Sequence, residues 1–501
     1  MASLEELRKA RLAKLELLKY AGMEAYPAKV PRDFCLADAR ANFAEYEEGK
    51  GGKKDGKPAS VAGRVMAIRG QGAILFLVLD DGKGTLQAVV KQDVLKPELF
   101  NLLTQAVDIG DIVSVTGTFF TTQRGEQSIL VTSWTMAAKS LLPLPEKWHG
   151  LQDPDEKLRK RYLDFIMDPE SRDLFYKKAK FWEVTRAFMK KEGFLEVETP
   201  TLETTTGGAE AAPFKTHHND YDLDVYLRIS VGELWQKRLV AAGFPKTFEI
   251  GRIYRNEGSS PEHVQEFTNL EFYWSYADYE DGMKFVTELY RTLAKEVFGT
   301  TKFSVKGHDF DLASEWTRID YAEEIKKQTG VDIYKTSDSE LRKALEKLKV
   351  AYEGTNRERL VDTIWKYCRK NITGPAFVVN HPVLVAPLAK LVIGAQNADG
   401  KRNAQAQTVQ MFQPLIAGSE IGRGYSELND PIDQKNRFEE QNKLFEGGDM
   451  EAMMPDDEFV EMLEHAMPPA CGFGFGERLF AVLSGKPLRE TQMFPLMRPR
   501  G

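Results

Sequence analysis

Cysteine is scarce in this chain. Three occur in 501 residues, Cys35, Cys368 and Cys471, far apart and without the spacing of metal ligands. That excludes a disulfide framework and a structural zinc site, and predicts a reducing, cytoplasmic setting. Long apolar runs are missing too. No stretch reaches the ~20 residues of a membrane helix, so no membrane partner is expected. The opening MASLEELRKARLAKLELLKY is charged throughout and lacks the apolar centre of a secretory signal. The glycosylation sequon at Asn371-Ile372-Thr373 therefore carries no meaning. The familiar nucleotide loops are absent as well. No Walker-type GxxxxGK followed by Ser or Thr occurs. Gly472-Phe473-Gly474-Phe475-Gly476 is a GxGxG without the strand–helix unit and downstream acid of a dinucleotide fold. Positive charge is not in excess: the net charge is -7. This speaks weakly against a nucleic-acid partner, yet local patches suffice to hold phosphates. Arg8, Lys9, Arg11, Lys14 and Lys19 form one patch, and Lys157, Arg159, Lys160 and Arg161 another. Solvated helix faces are the equal alternative for both.

What is present is a globular composition, 42% hydrophobic and 29% charged, long enough for more than one domain. Leu4, Leu7, Leu12, Leu15 and Leu18 predict an amphipathic helix over 3–21, stopped at Gly22. A polar, glycine-rich loop follows at 49–57. Five β-rich runs come next: Ala59–Arg69, Ala73–Leu79, Thr85–Val90, Ile112–Phe120 and Gln127–Ser133. Turns at Asp81–Gly84 and Gln123–Gly125 separate strands, and a helix over 96–106 sits after the third. That order is an OB barrel, a fold that commonly binds oligonucleotides. Pro143, Pro145 and Pro154 mark a linker. Leu174/Phe175, Phe181/Trp182 and Phe188/Met189 recur every seven residues, predicting a helix with one buried face, followed by a strand at Phe194–Thr199. The charged, leucine-striped stretch 330–372 reads as a helical insertion. The expected domains are a helical extension and loop at 1–58, the barrel at 59–142, a linker at 143–170 and a large domain at 171–501. The insertion lies at about 320–375 of the last.

Three segments of the large domain carry chemistry. The first is Gly193-Phe194-Leu195-Glu196-Val197-Glu198-Thr199-Pro200. The second is Phe248–Gly258, a gap, then Glu266–Tyr273. The third is Gly472-Phe473-Gly474-Phe475-Gly476-Glu477-Arg478-Leu479. In this order, behind an OB barrel, they resemble motifs 1, 2 and 3 of the class II aminoacyl-tRNA synthetases. The resemblance implies an α+β chain: a five-stranded OB barrel, then a catalytic domain built on an antiparallel sheet flanked by helices. It implies that Arg255 and Arg478 are catalytic. Arg255 would bridge the substrate carboxylate and the α-phosphate of ATP, and Arg478 would hold the γ-phosphate. Arginine suits this role because its guanidinium stays charged and binds anions at two points. Phe267 would stack on adenine. Glu257 and His263 would face ATP or the tRNA acceptor end, and Gly474 and Gly476 would let strand backbone approach the nucleotide.

The resemblance narrows to the lysine branch on four stretches: Gly207-Gly208-Ala209 with Pro213–Asn219, Leu227–Leu234, Asn269–Tyr273, and Gly424–Asp430. It runs from about residue 3 to residue 499. A lysine pocket needs carboxylates at both ends, since an unpaired desolvated ammonium is costly. By family position, Glu233 and the Gly208 backbone meet the α-amino group. Glu427 and Tyr273 meet the ε-ammonium, Glu271 supports one or both, and Tyr425 packs on the stem. The family further implies Mg²⁺ at Glu420, with Gln413 and Glu427 as lesser candidates. It departs here in four places. Arg423 stands beside the substrate carboxylate where asparagine is usual, and Gln413 where a metal-binding glutamate is usual. Glu477 replaces aspartate, and Trp235 tyrosine. On the barrel, Arg64, Phe76, Gln87 and Glu126 match positions that read the anticodon. The implied activity joins lysine to tRNA(Lys) with ATP in a homodimer. The alternatives are a synthetase of changed amino-acid specificity and a non-catalytic RNA-binding protein.

Overall fold

The computed structural model describes residues 3–47, 57–70, 72–145, 151–209, 211–258, 260, 263–352, 356–392, 408–446 and 453–500. Most of the predicted loop at 49–57 lies outside them. The chain forms two compact units, Met1–Pro169 and Glu170–Gly501.

In the first unit, β1 (Ala59–Arg69), β2 (Ile74–Asp80), β3 (Thr85–Lys91), β4 (Ile112–Thr121) and β5 (Gln127–Ala138) close into a barrel of order β1-β2-β3-β5-β4. Alternation puts Val61, Val65, Leu77, Leu79, Leu86, Ala88, Val113 and Val115 inside. The helix Pro97–Ala106 follows β3, as expected, with Pro97 at its first turn. The N-terminal helix spans Leu4–Tyr20 and is held by a Ser3/Glu6 capping box. It packs on Pro97–Ala106 through its buried Leu15 and Leu18. Two members of its basic patch are internal ties. Arg11 donates to the carbonyls of Ser140 and Ile109, and Lys14 pairs with Asp108 at 2.6 Å. The expected linker is helical at Pro154–Arg159 and Arg161–Met167. Pro154 occupies a first helical turn, where its missing N–H costs nothing. Arg161, from the second patch, is buried against Asp164.

The second unit is built on a nine-stranded sheet. Its strands are β6 (Leu195–Glu196), β10 (Lys246–Tyr254), β11 (Glu266–Ser275), β14 (Thr317–Asp320), β15 (Ala376–Val379), β16 (Met411–Ile416), β17 (Ser419–Glu420), β18 (Arg423–Ser426) and β19 (Ala470–Gly476). The order is β14-β15-β16-β18-β19-β11-β10-β6, with β17 beside β16. A small sheet joins β7 (Leu202–Glu203), β8 (Lys215–His218) and β9 (Leu223–Leu227), and β12 (Lys302–Val305) pairs with β13 (His308–Asp311). The main sheet is antiparallel through its middle. Its two outer pairs, β14/β15 and β10/β6, are parallel. Parallel neighbours need a long crossover. Between β14 and β15 that crossover is the predicted insertion, with helices Tyr321–Thr329, Asp338–Lys347 and Arg357–Cys368. The expected strand at Phe194–Thr199 pairs only over Leu195–Glu196. The helix Pro169–Lys191 buries Phe175, Phe181 and Met189, the predicted stripe. Phe181, Phe248, Phe272, Val286, Phe473 and Phe475 form the core on this face of the sheet.

Candidate active site

The middle of the sheet explains the GxGxG. Residues directly opposite in a ladder share a face, and successive residues alternate. Phe473 faces Phe272 across β19 and β11, and both join the core with Phe475. Gly472, Gly474 and Gly476 then stand opposite Tyr273, Glu271 and Asn269 on the other face. From β18, Arg423 and Tyr425 stand opposite Gly474 and Gly472. That face, made of glycine, tyrosine, glutamate, asparagine and arginine, thus becomes the floor of a cleft. A cavity of about 300 Å³ opens there. Every predicted site residue of this unit lines it: Gly208, Glu233, Arg255, Glu257, His263, Phe267, Glu271, Tyr273, Gln413, Glu420, Arg423, Tyr425, Glu427, Gly474, Gly476 and Arg478.

Part of the lining is cationic. Arg255 directly follows β10, with its backbone N–H bonded to the Gln265 carbonyl at 2.8 Å. Its guanidinium lies 5.5 Å from the Phe267 ring, and its Nε makes no hydrogen bond among the described residues. Burial lowers its pKa. Glu257 and Glu271 oppose that shift, whereas Arg478 and Arg423 add to it. Arg478 opens the helix Arg478–Leu483. Arg423 donates to the Val385 carbonyl. Arg255, Arg423 and Arg478 thus bring three guanidiniums to one cleft, a donor set suited to anions. His263 bonds Ser260 Oγ through Nδ1 at 2.8 Å.

Another part is acidic. Glu233 begins the helix Glu233–Ala241, behind Gly232. Glu271 accepts from the Val231 N–H at 2.8 Å, from Asn269 Nδ2 at 3.1 Å and from the Tyr273 hydroxyl at 3.2 Å. Burial, with Glu233 nearby, raises its pKa to about 7. Burial likewise raises that of Glu427 to about 8, with Lys237 opposing and Glu233 adding. Tyr425 donates to Glu233. Gly208 has φ +85, and a Cβ there would come 2.5 Å from Ser230 Oγ and 2.6 Å from Glu233 Cβ. Only glycine combines that conformation with that space. Lys237 was not among the predicted residues. It sits one helical turn after Glu233, 2.6 Å from that carboxylate and 2.6 Å from Glu427. The i,i+4 spacing from Glu233 was its sequence signal.

Glu420 accepts from Trp365 Nε1 at 2.7 Å, with Arg369 Nε 3.8 Å away. Gln413 Oε1 lies 3.2 Å from Nε2 of His381. Burial and Arg423 depress the His381 pKa to about 3, so this ring is neutral. No group of three or more His, Cys, Asp or Glu among the described residues makes a cation site by itself. Glu420 fits a Mg²⁺ whose other ligands are phosphates and water, the usual arrangement for that ion.

On the barrel, Phe76 and Gln87 point away from Leu77 and Ala88, onto the outer face. Gln87 Nε2 donates to Ser128 Oγ at 2.9 Å. Glu126 lies near the β4–β5 turn, 3.5 Å from Arg40. Arg64 gives its guanidinium to the Gly110 carbonyl at 2.7 Å. Of the four, Phe76 is the aromatic one, and it is half-buried.

Residues 153–498 match the family described as tRNA synthetases class II (D, K and N), and residues 59–137 match the OB-fold nucleic acid binding domain. A lysine–tRNA ligase of Roseiflexus sp. (strain RS-1) is 41% identical over 503 residues, covering 99% of each chain. That of Thermotoga maritima is 40% identical over 499 residues, 99% of this chain and 97% of the relative. That of Moorella thermoacetica is 41% identical over 500 residues, 99% and 98%.

Proposed function

The chain belongs to the class II tRNA synthetases, and on that premise we propose that it activates lysine with ATP and charges tRNA(Lys). The observation that carries this reading is one cleft lined both by guanidiniums, Arg255, Arg423 and Arg478, and by carboxylates, Glu233, Glu271 and Glu427. Lysine is an anion at one place and a cation at two. Its carboxylate belongs with Arg255 and Arg423, and its amines with Glu233, Glu271 and Glu427.

The chemistry needs two anions brought together. The lysine carboxylate attacks the α-phosphorus of ATP, and pyrophosphate leaves. Arg255, between substrate carboxylate and α-phosphate, offsets the charge that builds there, while Arg478 holds the far phosphates. Phe267 stacks on adenine, and Gly474 and Gly476 leave room for the nucleotide. Glu420 is the lining carboxylate that would help hold Mg²⁺, which would supply further charge neutralisation when bound. In the second step the terminal ribose hydroxyl of tRNA attacks the lysyl carbonyl, and AMP leaves. Neutral amino acids are rejected because they would strand buried carboxylates.

The barrel face bearing Phe76, Gln87 and Glu126 reads the anticodon. The working form is a homodimer joined through the segment from the helix Pro169–Lys191 to Pro200, where Tyr176 and Leu195 are exposed. No helix among the described residues is long and apolar enough to cross a membrane. The three free thiols suit a reducing, cytoplasmic setting.

The test is amino-acid-dependent exchange of pyrophosphate into ATP, with purified protein, Mg²⁺ and each of the twenty amino acids. Exchange with lysine, followed by lysylation of tRNA(Lys), is expected. Exchange with another amino acid would reassign the pocket, and exchange with none in a folded protein that binds tRNA would end the enzyme reading.

A further inference from the structure

Lys237 does not line the cleft, yet it touches two residues that do. Its side chain is fully buried behind them, on the helix that Glu233 begins. The ammonium lies 2.6 Å from Glu233 Oε1 and 2.6 Å from Glu427 Oε2. The rings of Tyr273, Tyr425 and Phe459 surround it at 5.9, 5.5 and 5.8 Å. Two carboxylates and three aromatic faces are the chemistry that holds an alkylammonium.

The free oxygens point the other way. Both oxygens of Glu427 are buried without a hydrogen-bond partner among the described residues; Oε2 is the one ion-paired with Lys237, which leaves Oε1. It occupies the place beside Gly472, a cleft residue, where a Cβ would come within 2.0 Å. Glu233 Oε2 lies toward Gly208, 3.0 Å from the position of an added Cβ. Each carboxylate thus gives one oxygen to Lys237 and turns the other toward the cleft.

We propose that Lys237 is a positioning residue for substrate selection: its ammonium ties the backs of Glu233 and Glu427 together, so that their outer oxygens meet the two amino groups of lysine already aimed. The charge count supports this. Burial holds the pKa of Glu271 at about 7 and of Glu427 at about 8; once the substrate's ammonium groups draw all three carboxylates to their ionised forms, Glu233, Glu271 and Glu427 carry three negative charges, and Lys237 offsets one. Two remain for the two ammonium groups of the substrate. Burial pulls the Lys237 pKa down, but Glu233 and Glu427 more than offset that and leave it raised, so the lysine stays charged. Without it, the carboxylates would repel one another and turn or take up protons.

This rests on the lysine-activating reading. The experiment compares Lys237→Met, which keeps the length and apolar stem of the side chain, with the full-length wild type in pyrophosphate exchange. The KM for lysine is expected to rise at least ~30-fold in the variant, with the KM for ATP within ~2-fold and kcat little changed. Thermal denaturation checks that the variant folds. A second variant, Lys237→Ala, is assayed with and without added propylamine, which replaces the missing atoms, and recovery of lysine-dependent exchange is expected. An unchanged lysine KM, lysine and ATP constants that rise together, or a folded Lys237→Ala protein that propylamine does not restore would each overturn the proposal. Wild-type protein inactive with lysine would instead overturn the reading beneath it.

Discussion

Gly472 and Glu427 share one space: a Cβ on the glycine would come 2.0 Å from the carboxylate oxygen Oε1. Both line the cleft, on the wall proposed for the side-chain ammonium of lysine. Tyr273 closes the other side, 2.6 Å from the same Cβ position. Gly472→Ala should therefore turn Glu427 and Tyr273 out of place. Lysine-dependent exchange should fall at least ~100-fold, with a lower Tm, since overpacking a filled site costs about 1–3 kcal/mol. An alanine variant with an unchanged lysine KM would refute this placement of Glu427.

Arg255 is held in the interior against the preference of a guanidinium for water. Burial lowers its pKa, and Arg478 and Arg423 lower it further. Arg255→Ala is expected to reduce kcat/KM in exchange by ~10²–10³-fold, the usual cost of removing one transition-state charge. Its Tm should equal or exceed that of the wild type, because a buried, under-compensated charge is lost. Calorimetry and exchange on the same preparation check both halves.

Glu203 links stability to pH. It is buried, accepts from Trp235 Nε1 at 3.1 Å, and has its pKa raised to about 8 by that burial. In the unfolded chain it titrates near 4.5. The folded protein therefore holds a proton that the unfolded chain has lost between about pH 4.5 and pH 8. Stability from this group is complete below that window, falls as pH rises through it, and levels off above. Glu203→Gln should raise the Tm at pH 8 more than at pH 5, as measured by thermal denaturation across the range.

The barrel and the cleft separate by assay. Phe76→Ala removes a stacking face worth about 1–3 kcal/mol per base, so the KM for tRNA in aminoacylation should rise ~5- to 100-fold. Pyrophosphate exchange, which needs no tRNA, should not change. A loss in both assays would mean that Phe76 serves folding.

Removing Mg²⁺ with a chelator should abolish exchange, and restoring it should recover the activity. On the proposed role of Glu420 as the ion's carboxylate, Glu420→Gln should raise the Mg²⁺ concentration needed for half activity. Gln413→Glu, adding a second carboxylate, should lower it. Titration of Mg²⁺ at fixed ATP measures both.

The fold was legible where period and punctuation agreed. The five barrel runs and the Phe181 helix alternate or repeat cleanly, and the structure keeps them. The cleft was legible through motifs: every residue named for it lines one cavity. What was illegible depended on partners far away in sequence. Lys237 reads as one more charge on a helix until Glu427, 190 residues later, is brought beside it. Arg11 and Lys14 look like a solvated face because their partners, Ser140 and Asp108, come from the far side of the barrel sequence. The parallel edge strands escaped because direction is set by a long crossover. The proline-marked linker hid two short helices because Pro154 sits where a helix tolerates it.

The alternating strand Ala470–Gly476 also sets what this chain can survive. Phenylalanines anchor one face in the core while glycines floor the cleft on the other. Deleting or inserting a single residue within it would exchange the two faces, thrusting benzyl rings into the nucleotide's place and emptying the core behind. Length changes are therefore confined to the segments between strands, as with the helices carried between β14 and β15. The strand acts as a reading frame for the site, and related chains should vary in what they hang around it while keeping its count.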